Sequence, residues 1–428
     1  MIYNIDDIRP YQVLQRAYGK DYAVVSKHKD VNLQFTIGGP HYFCGGSCPF
    51  YVGDIWVMAG GSNMQGLGYK TDFFTMKMLQ QPVEHDEAFL FDSSEQWRNF
   101  ENDPSHELTK SSRAVHDNAF GSLNKFIHDY DCKGASLAPA FVNTYKEINP
   151  GVPIALVPCA QDESTSDNWE TNSKDPNSSL YGAMLDKIRG IGGKIAGILW
   201  YQGESDAKDS TRAKKYDAFF RSWVSELRKD LKQPNLPVAF VQIGLHNFTK
   251  PELKENWKKI QHAQFEMFGR SPYIAGIASS DAVLDVFYNL SAIGLSLVGR
   301  RLAYAADKAL KGQGASATPL PSNAYVQKSS RYHASGPWVV MSIYLNFKSL
   351  DSPWKIEPNQ PVVGFSFGEA EIPIIKAFVE DAKTGSIRLY LPDVFDELLK
   401  IHYGMQPGQA NLITEDGRAL PAFRNFLV

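Results

Sequence analysis

The sequence predicts an α/β fold, a parallel sheet flanked by helices, with β-rich segments at both ends of the chain. Two observations predict it. From about residue 53 to residue 310, strand-like apolar runs alternate with helical-period runs, the grammar of βαβ units. Two of the apolar runs also stop abruptly in polar, glycine-containing turns, and α/β sheets carry their chemistry at that edge.

Residues 11–50 read as short β-segments, among them Tyr22–Val25 and Val31–Ile37, punctuated by Gly and Pro. An apolar run from Ile55 then ends in Gly60-Gly61-Ser62-Asn63, which predicts a buried strand, a tight turn and a helix start. Ile154–Pro158, Ile195–Trp200, Val238–Ile243 and Tyr273–Ala278 are the next strands. Between them Leu180–Arg189, Lys214–Leu231 and Asn256–Phe268 have helical periodicity. A Gly-Gln-Gly-Ala-Ser-Ala-Thr-Pro linker (312–319) marks a boundary, and Trp338–Leu345, Val362–Phe367 and Ser386–Leu391 alternate like strands after it. The expected division is 1–52, an N-terminal β-segment; 53–311, the α/β domain; and 320–428, a C-terminal β-rich domain.

Composition narrows the function classes. The 428 residues are 43% hydrophobic and 12% aromatic, enough for a sizeable core in two domains or three. A net charge of −3 without a basic block argues against nucleic acid. No apolar run reaches the roughly 18 residues of a membrane span. The N-terminus has neither a basic start nor an apolar signal core, so the expectation is a cytoplasmic protein or part of a particle assembled inside the cell. Cys44 and Cys48 have the spacing of a disulfide or of a simple loop, and no second Cys or His pair stands at zinc-ligand spacing. No cofactor is expected.

Gly60-Gly-Ser-Asn-Met64 resembles the Gly-Gln-Ser-Asn-Met block of the sialate O-acetylesterase-like carbohydrate esterases, a branch of the SGNH hydrolases (carbohydrate esterase family six and its relatives). Trp200-Tyr-Gln-Gly-Glu-Ser-Asp206 is similar to their third block almost letter for letter. Val52–Trp56, Val157–Ala160, Gly299–Ala303 and the stretch from His402 to Arg424 extend the resemblance over nearly the whole chain. It implies an SGNH-hydrolase-like (flavodoxin-like) sheet, with the N- and C-terminal β-segments joined in one accessory β-sandwich. It also implies acyl transfer to serine, which needs a nucleophile, a general base and an oxyanion hole.

In that scheme Ser62 fills the nucleophile position, and Gln202 a position near the oxyanion site where an amide donor suits the task. The family's closing block runs roughly Asp-x-x-Leu-Asp-Asp-x-x-His-Leu-Ser; here it is Asp281-Ala-Val-Leu-Asp-Val-Phe-Tyr-Asn-Leu-Ser291. Asn289 therefore stands at the histidine position and Val286 at the orienting aspartate position. Asparagine cannot accept and return a proton near neutral pH. Where the family has Gly-Gly-Thr, this chain has Asp162-Glu163-Ser164. Two carboxylates beside a forming oxyanion repel it, and the glycine-dependent backbone geometry is in doubt. Gly61 replaces the glutamine of the first block.

His246, after the strand Val238–Ile243, is the candidate substitute base; His262 and an orienting Asp285 stand behind it, and the alternative is that both histidines are surface or packing residues. Ser62, in turn, has the alternative role of a turn serine capping the next helix. Substrate contacts are expected from Gly61, Asn63, Gln202, Glu204, Asp162, Glu163 and Trp169. The aromatics of segment 69–120 (Phe73, Phe74, Phe89, Phe91, Trp97, Phe100) are either sugar-stacking surfaces or packing residues. The functional expectation is an inactive or very weak carbohydrate O-acetylesterase-like protein, kept for binding an O-acetylated glycan or as a module of a larger protein assembly such as a phage or virus particle. The alternative is an active serine O-acetylesterase with a relocated base.

Overall fold

The computed structural model describes residues 2–428 except 18, 29–30, 44–46, 73–74, 76, 80, 117–131, 334–335, 357–359, 369–371, 396–397 and 406–409. Seven strands form the main path of the nine-stranded central sheet: β1 (Phe50–Gly60), β2 (Ala88–Phe91), β3 (Trp97–Asn99), β4 (Ile154–Pro158), β5 (Gly197–Tyr201), β6 (Val238–Gln242) and β7 (Ile274–Ala278). Their spatial order is β7-β6-β5-β1-β4-β2-β3, all parallel except the edge hairpin β2–β3. Chain order reverses at β1, whose neighbours β4 and β5 lie on either side, so the crevice beyond the end of β1 is the topological switch point.

The strands read as continuous apolar runs because both faces are covered. Ile55, Trp56, Val57, Met58 and Ala59 are all fully buried. Trp56 lies in register with Gly197, three residues before Trp200, so the two indoles point to opposite faces. Trp56 packs on Phe141 and Tyr145 of helix α2 (Ala138–Ile148), whereas Trp200 packs on Phe220 and Trp223 of helix α4 (Ser210–Asp230). The remaining helices are the single turn α1 (Ser62–Gln65), α3 (Leu180–Gly190), α5 (Pro251–Phe265) and α6 (Ala292–Leu310). Side-chain caps fix several starts: Asp209 accepts from the amides of Thr211 and Arg212, and Ser291 from that of Gly294. Among the described residues no helix is long and apolar enough to cross a membrane.

Among the described residues, the N- and C-terminal β-segments pair in separate sheets, not in one shared sandwich. Ile2–Asn4, Tyr22–His28 and Val31–Thr36 make a three-stranded sheet, and Val13–Gln15 adds in parallel to the start of β1. Their apolar cluster holds Tyr3, Leu14, Val25, Phe50 and Val52 and no C-terminal residue. The bidentate Arg16–Asp54 pair, with Asp54 fully buried in β1, ties this segment to the base of the sheet. The C-terminal strands form a four-stranded and a three-stranded sheet around a separate cluster, including Ile343, Leu389, Ile401 and Phe423. No strand pairing joins the two ends among the described residues.

Candidate functional site

Ser62 reaches the crevice because β1 must stop. Gly60 has φ +140°, and a Cβ there would lie 2.0 Å from the Tyr201 carbonyl oxygen. Only glycine fits that close approach of β1 to β5. The chain then turns into α1, and the Ser62 hydroxyl donates to Asn289 Oδ1 at 3.1 Å. Asn289 belongs to a hairpin, Leu284–Val286 with Asn289–Leu290, that hangs over the end of β1. Its partner in that ladder is Val286, exposed and with no polar side-chain atom to offer. The structure thus brings together Ser62, Asn289 and Val286, the residues that the resemblance aligns with a nucleophile, a histidine and an aspartate.

Asn63 locks this arrangement. Its Nδ2 donates to Glu204 Oε1 at 2.8 Å and to the Tyr288 carbonyl at 3.0 Å, while its Oδ1 accepts from the Leu290 amide at 2.8 Å. Glu204 is enclosed, and burial pushes its carboxyl up to about 7. Asp285 accepts from the Tyr69 amide at 3.2 Å, and burial raises its carboxyl too.

The loop 161–166 forms the opposite wall. Gln161 donates from its amide to the Gly60 carbonyl, and the Asp162 amide donates to Gln65 Oε1 at 2.6 Å. Glu163 has φ +55°, the conformation that a glycine adopts freely. The backbone geometry in doubt at this glycine-replaced position is left-handed, held on a glutamate. Burial and the neighbouring Glu163 raise the Asp162 carboxyl. Lys208 lies 3.6 Å from Glu163 and 5.6 Å above the Tyr288 ring.

Gln202 is placed differently from the expected oxyanion donor. Its Nε2 donates to the Ser164 carbonyl at 3.3 Å and to the Asp206 carboxylate, so both N–H bonds are used in bracing the loop. Trp169 is fully buried against Trp200, its indole N–H on Ser164 Oγ, and presents no ring face to a ligand. Phe89, Phe91, Trp97 and Phe100 are likewise buried and pack the core; Phe73, Phe74 and Cys44 lie outside the described residues. Gly61 has room for a Cβ, which would lie in ordinary contact 3.8 Å from its nearest neighbour, Glu204 Oε2.

His246 is buried between Phe248 and Trp257, its Nδ1 accepting from the Phe248 amide at 3.1 Å. Burial drives its imidazole down to about 4, and no hydrogen bond joins it to Ser62. His262 sits on α5, lowered by burial and by Arg424 of the C-terminal domain. Among the described residues, no titratable side chain hydrogen-bonds the Ser62 hydroxyl, and no cluster of three or more His, Cys, Asp or Glu is arranged for a metal.

Sequence reasoning did not single out Tyr288, Lys208 or the Asp281–Arg301 pair. Arg301 of α6 grips Asp281 with two bonds of 2.6 and 2.7 Å and also donates to the carbonyls of Ala278 and Gly417. It thereby fixes the root of the hairpin that carries Asn289. Asp281 opens the closing block, and Tyr288 adjoins Asn289, which were the available signals. A groove of about 770 Å³ at the other end of the strands, lined by Arg16, Asp54 and Lys194, has its buried carboxylate already taken by Arg16 and Tyr145.

A serine beyond the central strand at the switch point of a parallel sheet defines the class as an α/β protein with its candidate site at the edge where such sheets carry their chemistry. Residues 52–308, more than half of the chain, match the family described as carbohydrate esterase, sialic acid-specific acetylesterase. The chain belongs to that family. The probable carbohydrate esterase At4g34215 of Arabidopsis thaliana is 37% identical over 117 residues, which span 26% of this chain and 43% of that protein. Among solved structures, XAC1771, a novel carbohydrate acetylesterase from Xanthomonas citri, aligns with a TM-score of 0.63 at 17% identity over 98% of each chain. The structure of the A. thaliana protein aligns with a TM-score of 0.45 at 23% identity, over 59% of this chain and 96% of that one.

Proposed function

We propose that this chain is a catalytically silent, or nearly silent, member of the carbohydrate esterase family that keeps the Ser62 pocket for recognising an acetylated glycan. The observation that carries the reading is the 3.1 Å bond from Ser62 Oγ to the Asn289 amide oxygen. An amide oxygen accepts a hydrogen bond but cannot take the hydroxyl proton at neutral pH, so the serine stays a poor nucleophile. Loss of a triad base costs on the order of 10⁴ in kcat. The neighbouring Asp162 and Glu163 act in the same direction, since negative charge opposes an oxyanion.

Recognition of a glycan rests on what persists: the turn at Gly60, the Asn63 bridge and a polar crevice of the kind that fixes sugar hydroxyls. The test is hydrolysis of an acetyl ester by the wild type and by Ser62→Ala, with labelling by a serine-reactive fluorophosphonate and titration of O-acetylated sugars by NMR. The expected result is no turnover, no labelling and saturable binding. Turnover abolished by Ser62→Ala overturns the silent reading.

A further inference from the structure

Among the described residues, those around Ser62 offer more hydrogen-bond acceptors than donors. Asp162 and Glu163 face Lys208 across the loop; Glu204 and Tyr288 share that neighbourhood, since Asp162 bears on the charge state of both. Lys133 lies within electrostatic reach of Asp162 and Asp285 alike. Among the described residues, four carboxyl groups, Asp162, Glu163, Glu204 and Asp285, thus neighbour two ammonium groups, with Glu163 paired to Lys208 and burial raising the other three. Gln202 Oε1 is fully buried with no partner, on a side chain whose Nε2 is bonded to this same loop, and Gln161 Oε1 beside Asp162 is also unpartnered. Asn289 presents Oδ1, not Nδ2, to the serine.

Such a surface complements a ligand that donates hydrogen bonds or carries positive charge, and it opposes a carboxylate. Glu163 holds its carboxylate there in a backbone conformation that favours glycine. Resting on the glycan-binding reading above, we propose that the Ser62 pocket takes an amine-bearing or uncharged acetylated sugar and rejects sialates, and that Asp162 and Glu163 determine this choice. The family's description names sialic acid, whose ionised carboxylate would enter a field of its own sign. Asp162 and Glu163 act on affinity through charge, not through shape.

The experiment titrates the full chain, at low and at high salt, with three probes: an O-acetylated glucosamine with a free amine, the corresponding O-acetylated glucose, and an O-acetylated sialic acid. The wild type is expected to bind the amine-bearing sugar about tenfold or more tighter than the sialate, with the neutral sugar between them. That gap narrows at high salt, as screening of exposed charges requires. The variant Asp162→Asn/Glu163→Gln is expected to flatten the order while its melting temperature stays near the wild-type value, because the substituted asparagine side chain retains an oxygen for the amide of the next residue. A wild type that binds the sialate as tightly as the amine-bearing sugar overturns the proposal while glycan binding stands. A preference that survives intact in the double variant overturns the assignment to Asp162 and Glu163. Binding of none of the three sugars overturns the glycan reading itself, and the charge preference with it.

Discussion

The Ser62 hydroxyl and the Asn289 amide oxygen lie 3.1 Å apart, hydrogen-bonded, on two elements brought together from 227 residues apart in sequence. The contact keeps the spacing of a nucleophile and its base while supplying a side chain that takes no proton. Asn63 enforces it from the neighbouring position through the Leu290 amide and the Tyr288 carbonyl. Asn63 therefore holds the geometry independently of any proton transfer at Asn289.

On the silent reading proposed above, supplying a base is then a matter of side chains. Asn289→His places an imidazole beside Ser62, and Val286→Asp, directly across the hairpin, supplies an orienting carboxylate. The double variant is expected to hydrolyse an aryl acetate about 10²-fold or more faster than the wild type, with the single histidine variant between them. Initial rates with a Ser62→Ala control check it. A double variant that folds, as judged by circular dichroism, yet stays at background would show that the crevice lacks more than a base.

The two glycines ahead of Ser62 are expected to respond in opposite ways. Gly60→Ala drives a Cβ to 2.0 Å from the Tyr201 carbonyl and strains a φ of +140°, so the central strands must part. A loss of about 3 kcal/mol or more is expected. Gly61→Ala, whose Cβ meets nothing closer than 3.8 Å, is expected to cost under about 0.5 kcal/mol. Urea midpoints of the two variants decide between these outcomes.

Much of this was legible in the sequence, for a physical reason: a strand covered on both faces is a continuous apolar run, so Ile154–Pro158 and Val238–Gln242 announce themselves. Ser62, Asn289 and Val286 were legible because motif spacing encodes their meeting. What stayed hidden depends on long-range partners. Nothing local says that Val13–Gln15 pairs with Tyr51–Gly53 and keeps the N-terminal segment away from the C-terminal sheets. Gln202 looks like an oxyanion donor until Asp206 and Ser164 are seen to claim its amide. Trp169 reads as a binding residue beside polar neighbours, but Trp200 encloses it from the far side.

Glu204 makes a pH prediction. Its folded carboxyl is raised from 4.5 to about 7, chiefly by burial, so the folded state holds the proton more tightly than the unfolded one. The stability this confers is complete below about pH 4.5 and is lost as pH rises through about 7. At roughly 1.4 kcal/mol per unit, the loss is on the order of 3 kcal/mol. Asp103, also raised to about 7 by burial, declines over the same window, whereas His106 and His246, lowered by burial, weaken the fold as pH falls. Glu204→Gln keeps an oxygen for Asn63 Nδ2 and removes only the Glu204 contribution. The difference between the wild-type and Glu204→Gln stability curves is expected to grow from pH 5 to pH 8. A difference that stays flat would mean that Glu204 is ionised throughout.

Arg301 tests how the hairpin is held. Its guanidinium is almost wholly buried and joins Asp281, the Ala278 carbonyl at the end of β7 and the Gly417 carbonyl of the C-terminal domain. Removing it leaves the Asp281 carboxylate without its partner, a change that costs about 3–5 kcal/mol at buried pairs. Arg301→Ala is therefore expected to lower the urea midpoint markedly and to loosen the hairpin 284–290, seen as faster amide exchange at Leu290. Arg301→Ala/Asp281→Ala, which removes both charges, is expected to recover part of that stability, because no lone carboxylate is left behind. Equal losses in the single and double variants would mean that Arg301 acts through the two carbonyls alone, and the C-terminal domain rather than Asp281 would then be what anchors the Asn289 hairpin.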